Sequence, residues 1–271
     1  MRLIRRLLTN PFAEGRGHLL IHCSHHKVGT VWFKNVLRAV AREYGLRVTV
    51  NDAARIPAGA SIFVDDHGKV DLSQIQQRYR GSHMIRDPRD VVISGYHYHL
   101  WTKERWANTK IGELGPDIAA YWPLLPVKDI LHLTYKEYLN SLDKEAGLMA
   151  EISRASSTDI QDMVRWDYSN PNILNFKYED IMRDEENMFR RIFTHYGFSE
   201  AAVARSTDLA MTFSFKNQAK RDVGQSQEKS HLRSGKAEQW RQEFSEAHKA
   251  YFKRLHGEDL IRLGYETSLD W

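Results

Sequence analysis

The chain has 271 residues, 42% hydrophobic and 27% charged, the balance of a soluble globular protein with room for one substantial core or two small ones. A net charge of only +4 with a pI near 9.0 excludes a bulk polyanion coat and leaves one local basic site for an acidic ligand, so no nucleic-acid partner is expected. The single cysteine, Cys23, excludes an internal disulfide.

Residues 1–16 read as an N-terminal extension. Met1–Leu8 is basic and apolar, but Arg5 and Arg6 break it and Asn10-Pro11 ends it, too soon for a secretory apolar region. No run approaches the roughly 18 apolar residues of a transmembrane helix. A cytoplasmic protein without stable membrane insertion is expected; whether residues 1–8 touch a membrane surface stays open. His18–Ser24 reads as the first strand. Val36, Leu37, Val40, Ala41 and Tyr44 then share one helical face, and Gly45 suits the helix end. Ser61–Asp65 is a second strand, Asp71–Tyr79 a helix and Gly81–Ile85 a third strand. Pro88 fits the first position of a helix that continues through residues 89–101. Residues 102–127 and 216–237 lack a clear period and are expected as loops or lids over a site. Asn172–Lys177 is a fourth strand candidate, and Lys236–Leu255 a closing amphipathic helix. Strands alternating with helices predict an α/β fold: a P-loop-like parallel sheet of about four to five strands flanked by helices, in a single domain over residues 1–271.

Two strand-to-helix turns carry anion-binding chemistry. His25-His26-Lys27-Val28-Gly29-Thr30-Val31-Trp32 puts a lysine, a glycine and a hydroxyl at a helix start, where free N–H groups and the dipole favour a phosphate. Arg86-Asp87-Pro88-Arg89-Asp90-Val91-Val92-Ile93-Ser94 places an arginine and a serine around another. Two such turns suggest one ligand with phosphates at two places. The first is not a Walker loop, whose lysine follows its glycines.

The order Lys-x-Gly-Thr-x-Trp resembles the 5′-phosphosulfate loop, P-K-S-G-T-T-W, of the sulfotransferases that use 3′-phosphoadenosine 5′-phosphosulfate (PAPS). Arg86–Ser94 is similar to that family's R-N-P-x-D-x-x-x-S segment. Arg233-Ser234-Gly235-Lys236-Ala237-Glu238-Gln239-Trp240 is similar to its R-K-G-x-x-G-x-W, and Phe213-Ser214-Phe215 to its T-S-F. The resemblance implies transfer of the sulfuryl group from PAPS to an acceptor hydroxyl or amine, leaving adenosine 3′,5′-bisphosphate (PAP), with no metal. It implies that Lys27 neutralises the leaving phosphate, that Gly29, Thr30, Val31 and Trp32 complete the donor loop, and that Arg86, Ser94, Arg233, Ser234 and Gly235 hold the 3′-phosphate. Ser214, Phe215 and Tyr178 would lie near the adenine. It also implies small homo-oligomers.

Transfer to an alcohol needs a base. The resemblance points to His67, after the second strand, although Asp65 stands where the family has a lysine and no proline follows; Asp65 and Asp66 are the alternatives. His22, Cys23, His25 and His26 do not make a metal site, because alternate strand residues face opposite ways. His97 and His99 are expected to pack, with one able to reach an acceptor. The acceptor is a small molecule or a glycan. Two other readings stay open: another P-loop transferase using a nucleotide phosphate donor, and a sulfotransferase-like binding protein without turnover.

Overall fold

β1 (Leu19–Cys23) is buried along its whole length, because it pairs on both sides: with β3 (Ile62–Asp65) and with β4 (Tyr79–Ile85). The computed structural model describes residues 10–15, 17–51, 56–114, 125–155, 158–219 and 235–271. The complete sheet also has β2 (Val48–Asn51) and β5 (Ile173–Lys177), all five strands parallel in the order β2-β3-β1-β4-β5. The helices are α1 (Thr30–Tyr44), α2 (Pro88–His99), α3 (Val127–Ile130), α4 (Tyr135–Ser141), α5 (Lys144–Ala155) and α6 (Asp159–Arg165), then α7 (Tyr178–Arg183), α8 (Glu185–His195), α9 (Glu200–Met211), α10 (Phe215–Ala219), α11 (Trp240–Glu243) and α12 (Glu246–Arg262). None of them is long and apolar enough to cross a membrane, among the described residues.

The chain forms two compact units: Met1–Ile85 with Trp166–Asp222, and Arg86–Arg165 with Val223–Trp271. The first contains the sheet. Its strand order reverses direction at β1, and open parallel sheets bind ligands beyond the carboxyl ends of strands at such a switch point. In register, Cys23 lies beside Asp65 on one side and His83 on the other, so residues 24–30 leave the sheet between the ends of β3 and β4. α1 lays Phe33, Val36, Leu37, Val40 and Ala41 into the core, the face expected from the sequence, and Gly45 ends it with a left-handed φ of 66°.

In the second unit, Pro88 opens α2 and Asp87 caps it by accepting from Arg89 N. α2 is buried nearly all round and packs on α5. Beneath it lies a buried ion cluster. Glu151 accepts from Tyr135 Oη (2.7 Å), from Arg154 Nε (2.9 Å) and an Arg154 terminal nitrogen (2.8 Å), and pairs with His99 Nδ1 (3.0 Å).

Two expected helices are corrected. Asp71–Tyr79 forms only a 3-10 turn at Leu72–Gln74, and Tyr79 already begins β4. Asp71 accepts from Ser73 N, and the segment then runs extended so that Leu72, Ile75 and Tyr79 rest on the cluster of Leu19, Ile21 and Phe63. Lys236–Leu255 is two helices, because Phe244 is extended and Ser245 caps a new helix that runs to Arg262. Residues 102–127 contain 3-10 turns at Trp106–Asn108 and Ile111–Glu113; residues 115–124, most of 216–237 and residues 1–9 lie outside the described residues.

Candidate active site

The turn between β1 and α1 is built around two left-handed residues. Lys27 has φ 62° and Gly29 has φ 96°. Gly29 is the N-cap of α1, no side chain caps the helix, and its first turn has no acidic residue. The N–H groups at this helix start therefore keep their capacity for an anion. Space is short above Gly29: a Cβ there would stand 3.2 Å from Met84 Cε and 3.7 Å from the Tyr178 ring. A larger residue would both strain the backbone and fill the turn.

The structure groups Lys27, Gly29, Thr30, Val31, Trp32 and Tyr178 around this one turn. Val31 is exposed, while Trp32 is half-buried with its ring packed edge-to-face on Phe33 and Phe189. The Thr30 hydroxyl is already engaged: it donates to His25 O (3.1 Å) and accepts from Ser24 Oγ (3.0 Å). What Thr30 offers a ligand is thus its N–H rather than its hydroxyl. Ser214 and Phe215 are buried at the start of α10.

The turn after β3 holds the candidate bases. Asp65 is fully buried, and its two carboxylate oxygens accept from His67 N (3.0 Å) and Val70 N (2.7 Å). Burial raises its pKa, partly offset by those N–H donors. Asp65 is thus the brace of the turn. Asp66 pairs with Lys34 of α1 at 2.9 Å. His67 is half-buried and its ring stacks near that of His26, with centroids 6.3 Å apart.

Beside this turn lies a buried histidine chain that motif reading did not single out. His25 Nε2 meets His83 Nε2 at 2.8 Å, His83 Nδ1 meets Asn175 Oδ1 at 3.0 Å, and Trp166 Nε1 donates to the same oxygen at 3.1 Å. The His83 ring stacks on Trp166 at 4.0 Å. Burial lowers the pKa of His25 to about 3, with the nearby His67 charge adding to it, and depresses that of His83 as well. The available signal was positional: histidines at the carboxyl ends of two strands that prove adjacent.

In the second unit, Arg86 is buried just ahead of Asp87, the N-cap of α2. Its guanidinium lies 3.7 Å from Asp90 and 3.4 Å from the carbonyl of Lys236. The structure brings Lys236 to Arg86, and the adjoining Gly235 takes a left-handed φ of 65°. Ser94 lies half-buried on α2. Arg233 and Ser234 lie outside the described residues. The neighbouring Arg89 is a structural residue: Asp87 and Glu266 pair with it, and its guanidinium lies over the rings of Trp240 (3.8 Å) and Trp271 (4.5 Å). His97 pairs with Glu243 at 2.7 Å, and His99 is committed to Glu151.

A parallel sheet with an uncapped helix N-terminus at its switch point is the arrangement in which α/β proteins bind anionic ligands. A family model described as the sulfotransferase domain matches residues 63–264, so the chain belongs to the sulfotransferase domain family; the match begins after the Lys27–Trp32 turn. The fold resembles mouse sulfotransferase SULT7A1 complexed with PAP, at 16% identity over 90% of this chain and 85% of that one, with a TM-score of 0.52. It also resembles retinol dehydratase in a complex with retinol and PAP, at 16% identity over 89% of this chain and 80% of that one, with a TM-score of 0.51. No curated protein sequence matches significantly.

Proposed function

We propose that this protein transfers the sulfuryl group of PAPS to a hydroxyl, or an amine, of a small-molecule acceptor. The observation that carries the reading is the turn at Lys27 and Gly29, where a cation and an uncapped helix start meet in a space that only glycine leaves open. PAPS supplies the sulfuryl group and a phosphate as its leaving group. Lys27 and the N–H groups from Gly29 onward would hold the 5′ phosphosulfate end and oppose the charge that develops on it. Arg86, with Ser94 and the Gly235 segment, would take the 3′-phosphate, for which a guanidinium fork is well suited. Tyr178, Trp32, Ser214 and Phe215 are assigned to the adenine side.

His67 is the proposed base. The competing carboxylates have other tasks, Asp65 bracing the turn and Asp66 pairing with Lys34, and His67 is the imidazole that the same turn carries. An apolar or aromatic alcohol suits the aromatic residues 96–122, and the retinol held by one structural relative is such an alcohol. A glycan acceptor is the alternative outcome of a screen.

Calorimetry with PAP and ATP, followed by turnover of labelled PAPS against an acceptor panel, tests the reading. Tight PAP binding with much weaker ATP binding is expected, together with label transfer to at least one alcohol. Equal affinity for the two nucleotides would favour another P-loop transferase. PAP binding without transfer to any acceptor would favour a binding protein. His67→Ala is expected to leave PAP affinity intact and lower turnover by about 10²–10⁴-fold.

A further inference from the structure

The buried histidine chain fixes its own protons. Trp166 Nε1 can only donate, so the Asn175 atom it meets is an acceptor oxygen. His83 Nδ1, which meets the same oxygen, must then carry a hydrogen. Because both rings are held uncharged by burial, His83 Nε2 is a bare acceptor and His25 Nε2 carries the hydrogen between them. The remaining nitrogen, His25 Nδ1, is therefore a bare lone pair; it is buried and has no hydrogen-bond partner.

That edge of the ring faces the turn of the proposed base. A Cβ on Gly68 would stand 2.6 Å from His25 Cε1 and 3.1 Å from Nδ1. Gly68 follows His67 directly and has φ 64°, so backbone and ring meet with no space for a side chain between them. The backbone of His25 meanwhile anchors the donor turn, accepting from Val28 N (3.2 Å) and Thr30 Oγ1 (3.1 Å). One residue thus joins the donor turn, through its carbonyl, to the base turn, through its ring.

We propose that His25 is a positioning residue for the reaction: His83 and Asn175 lock its ring in the Nε2–H tautomer, and the locked ring sets the Asp65–Gly68 turn that presents His67. This rests on the reading of His67 as the base. The ring can neither swing away nor turn over without stranding the His83 nitrogen. Substitution of the side chain leaves the His25 carbonyl, and hence the donor turn, in place.

Two measurements on the full-length protein test this, one of them independent of turnover. Nitrogen-resolved NMR of the histidine rings should find His25 protonated at Nε2 alone. His25→Phe, and separately Asn175→Leu, which keeps His25 but removes the lock, should speed amide exchange at His67 and Val70 about tenfold or more, with α8 and α9 unaffected. An Nδ1–H tautomer for His25, or unchanged exchange in both variants, overturns the proposal even if the protein never turns over PAPS. For the active enzyme, His25→Phe should lower kcat about tenfold or more with KM for PAPS within about twofold. In a His67→Ala background the same change should cost less than about twofold. An equal loss in both backgrounds would mean that His25 serves the fold or the donor turn, and would overturn the link to His67.

Discussion

Glu151 shows how single side chains in this protein are held by what surrounds them. Burial alone would raise its pKa, but the charge of Arg154 and the contact with His99 outweigh burial and hold it near 2. It is fully buried, so its charge has no water to fall back on. Glu151→Ala would take from Arg154 a carboxylate that it meets through two nitrogens, and from His99 and Tyr135 an acceptor that both contact. A loss of about 3–5 kcal/mol in a urea melt is expected, the range for breaking a buried pair. A loss under about 1 kcal/mol would show that the neighbours close up around the gap. Lys27 belongs at the same scale but with a different signature. Lys27→Ala should reduce kcat more than PAP affinity, because its charge counts most as the leaving phosphate develops. Equal losses in both, read by single-turnover kinetics and calorimetry, would make it a binding group only.

Elements were legible where local chemistry and packing agreed. The Gly45 stop and apolar face of α1, the Pro88 start of α2 and four of the five strands could be read directly. β2 could not, since Val48–Asn51 is a four-residue edge strand, too short for its alternation of valine and threonine to stand out. Leu72, Ile75 and Tyr79 have helical spacing, yet an extended segment lays the same three residues on the core. The Lys27–Trp32 turn was visible as a motif, and so was the turn that carries His67. The His25–His83–Asn175 chain was not, because three residues far apart in sequence meet only through the strand order. The break ahead of the C-terminal helix lacks the acidic residue that usually marks a capping box. Ser245 Oγ accepts from His248 N (3.3 Å) while His248 Nδ1 accepts from Ser245 N (3.0 Å), a capping box in which histidine replaces the usual glutamate. Ser245→Ala should therefore cost about 1 kcal/mol in thermal or urea unfolding, and an unchanged midpoint would show the cap to be idle.

For the whole molecule, the buried histidines make stability depend on pH. His22 and His25 have pKa values near 3 in the fold, against an ordinary value of 6.5, because burial disfavours their charged forms. Between those limits the unfolded chain binds protons that the fold refuses, so stability rises with pH and is lost as pH falls below about 6.5. Each histidine contributes at most about 1.4 kcal/mol per pH unit in that window. The urea midpoint should fall between pH 7 and pH 5, and His25→Phe should flatten the slope; a constant midpoint would mean that these rings accept protons without unfolding. Both compact units are also discontinuous in sequence, and this bears on how the protein is made. β4 is complete at Ile85, but its neighbour β5 begins only at Ile173, after the whole of Arg86–Arg165 has been synthesised. The second unit in turn needs α12, which ends at Arg262. On the ribosome, neither unit can close when its first segment emerges, and β4 waits with an open edge. Nascent chains arrested near residue 165 should thus stay protease-sensitive across β1 to β4 and engage chaperones that recognise exposed strands, becoming resistant only once β5 has left the exit tunnel.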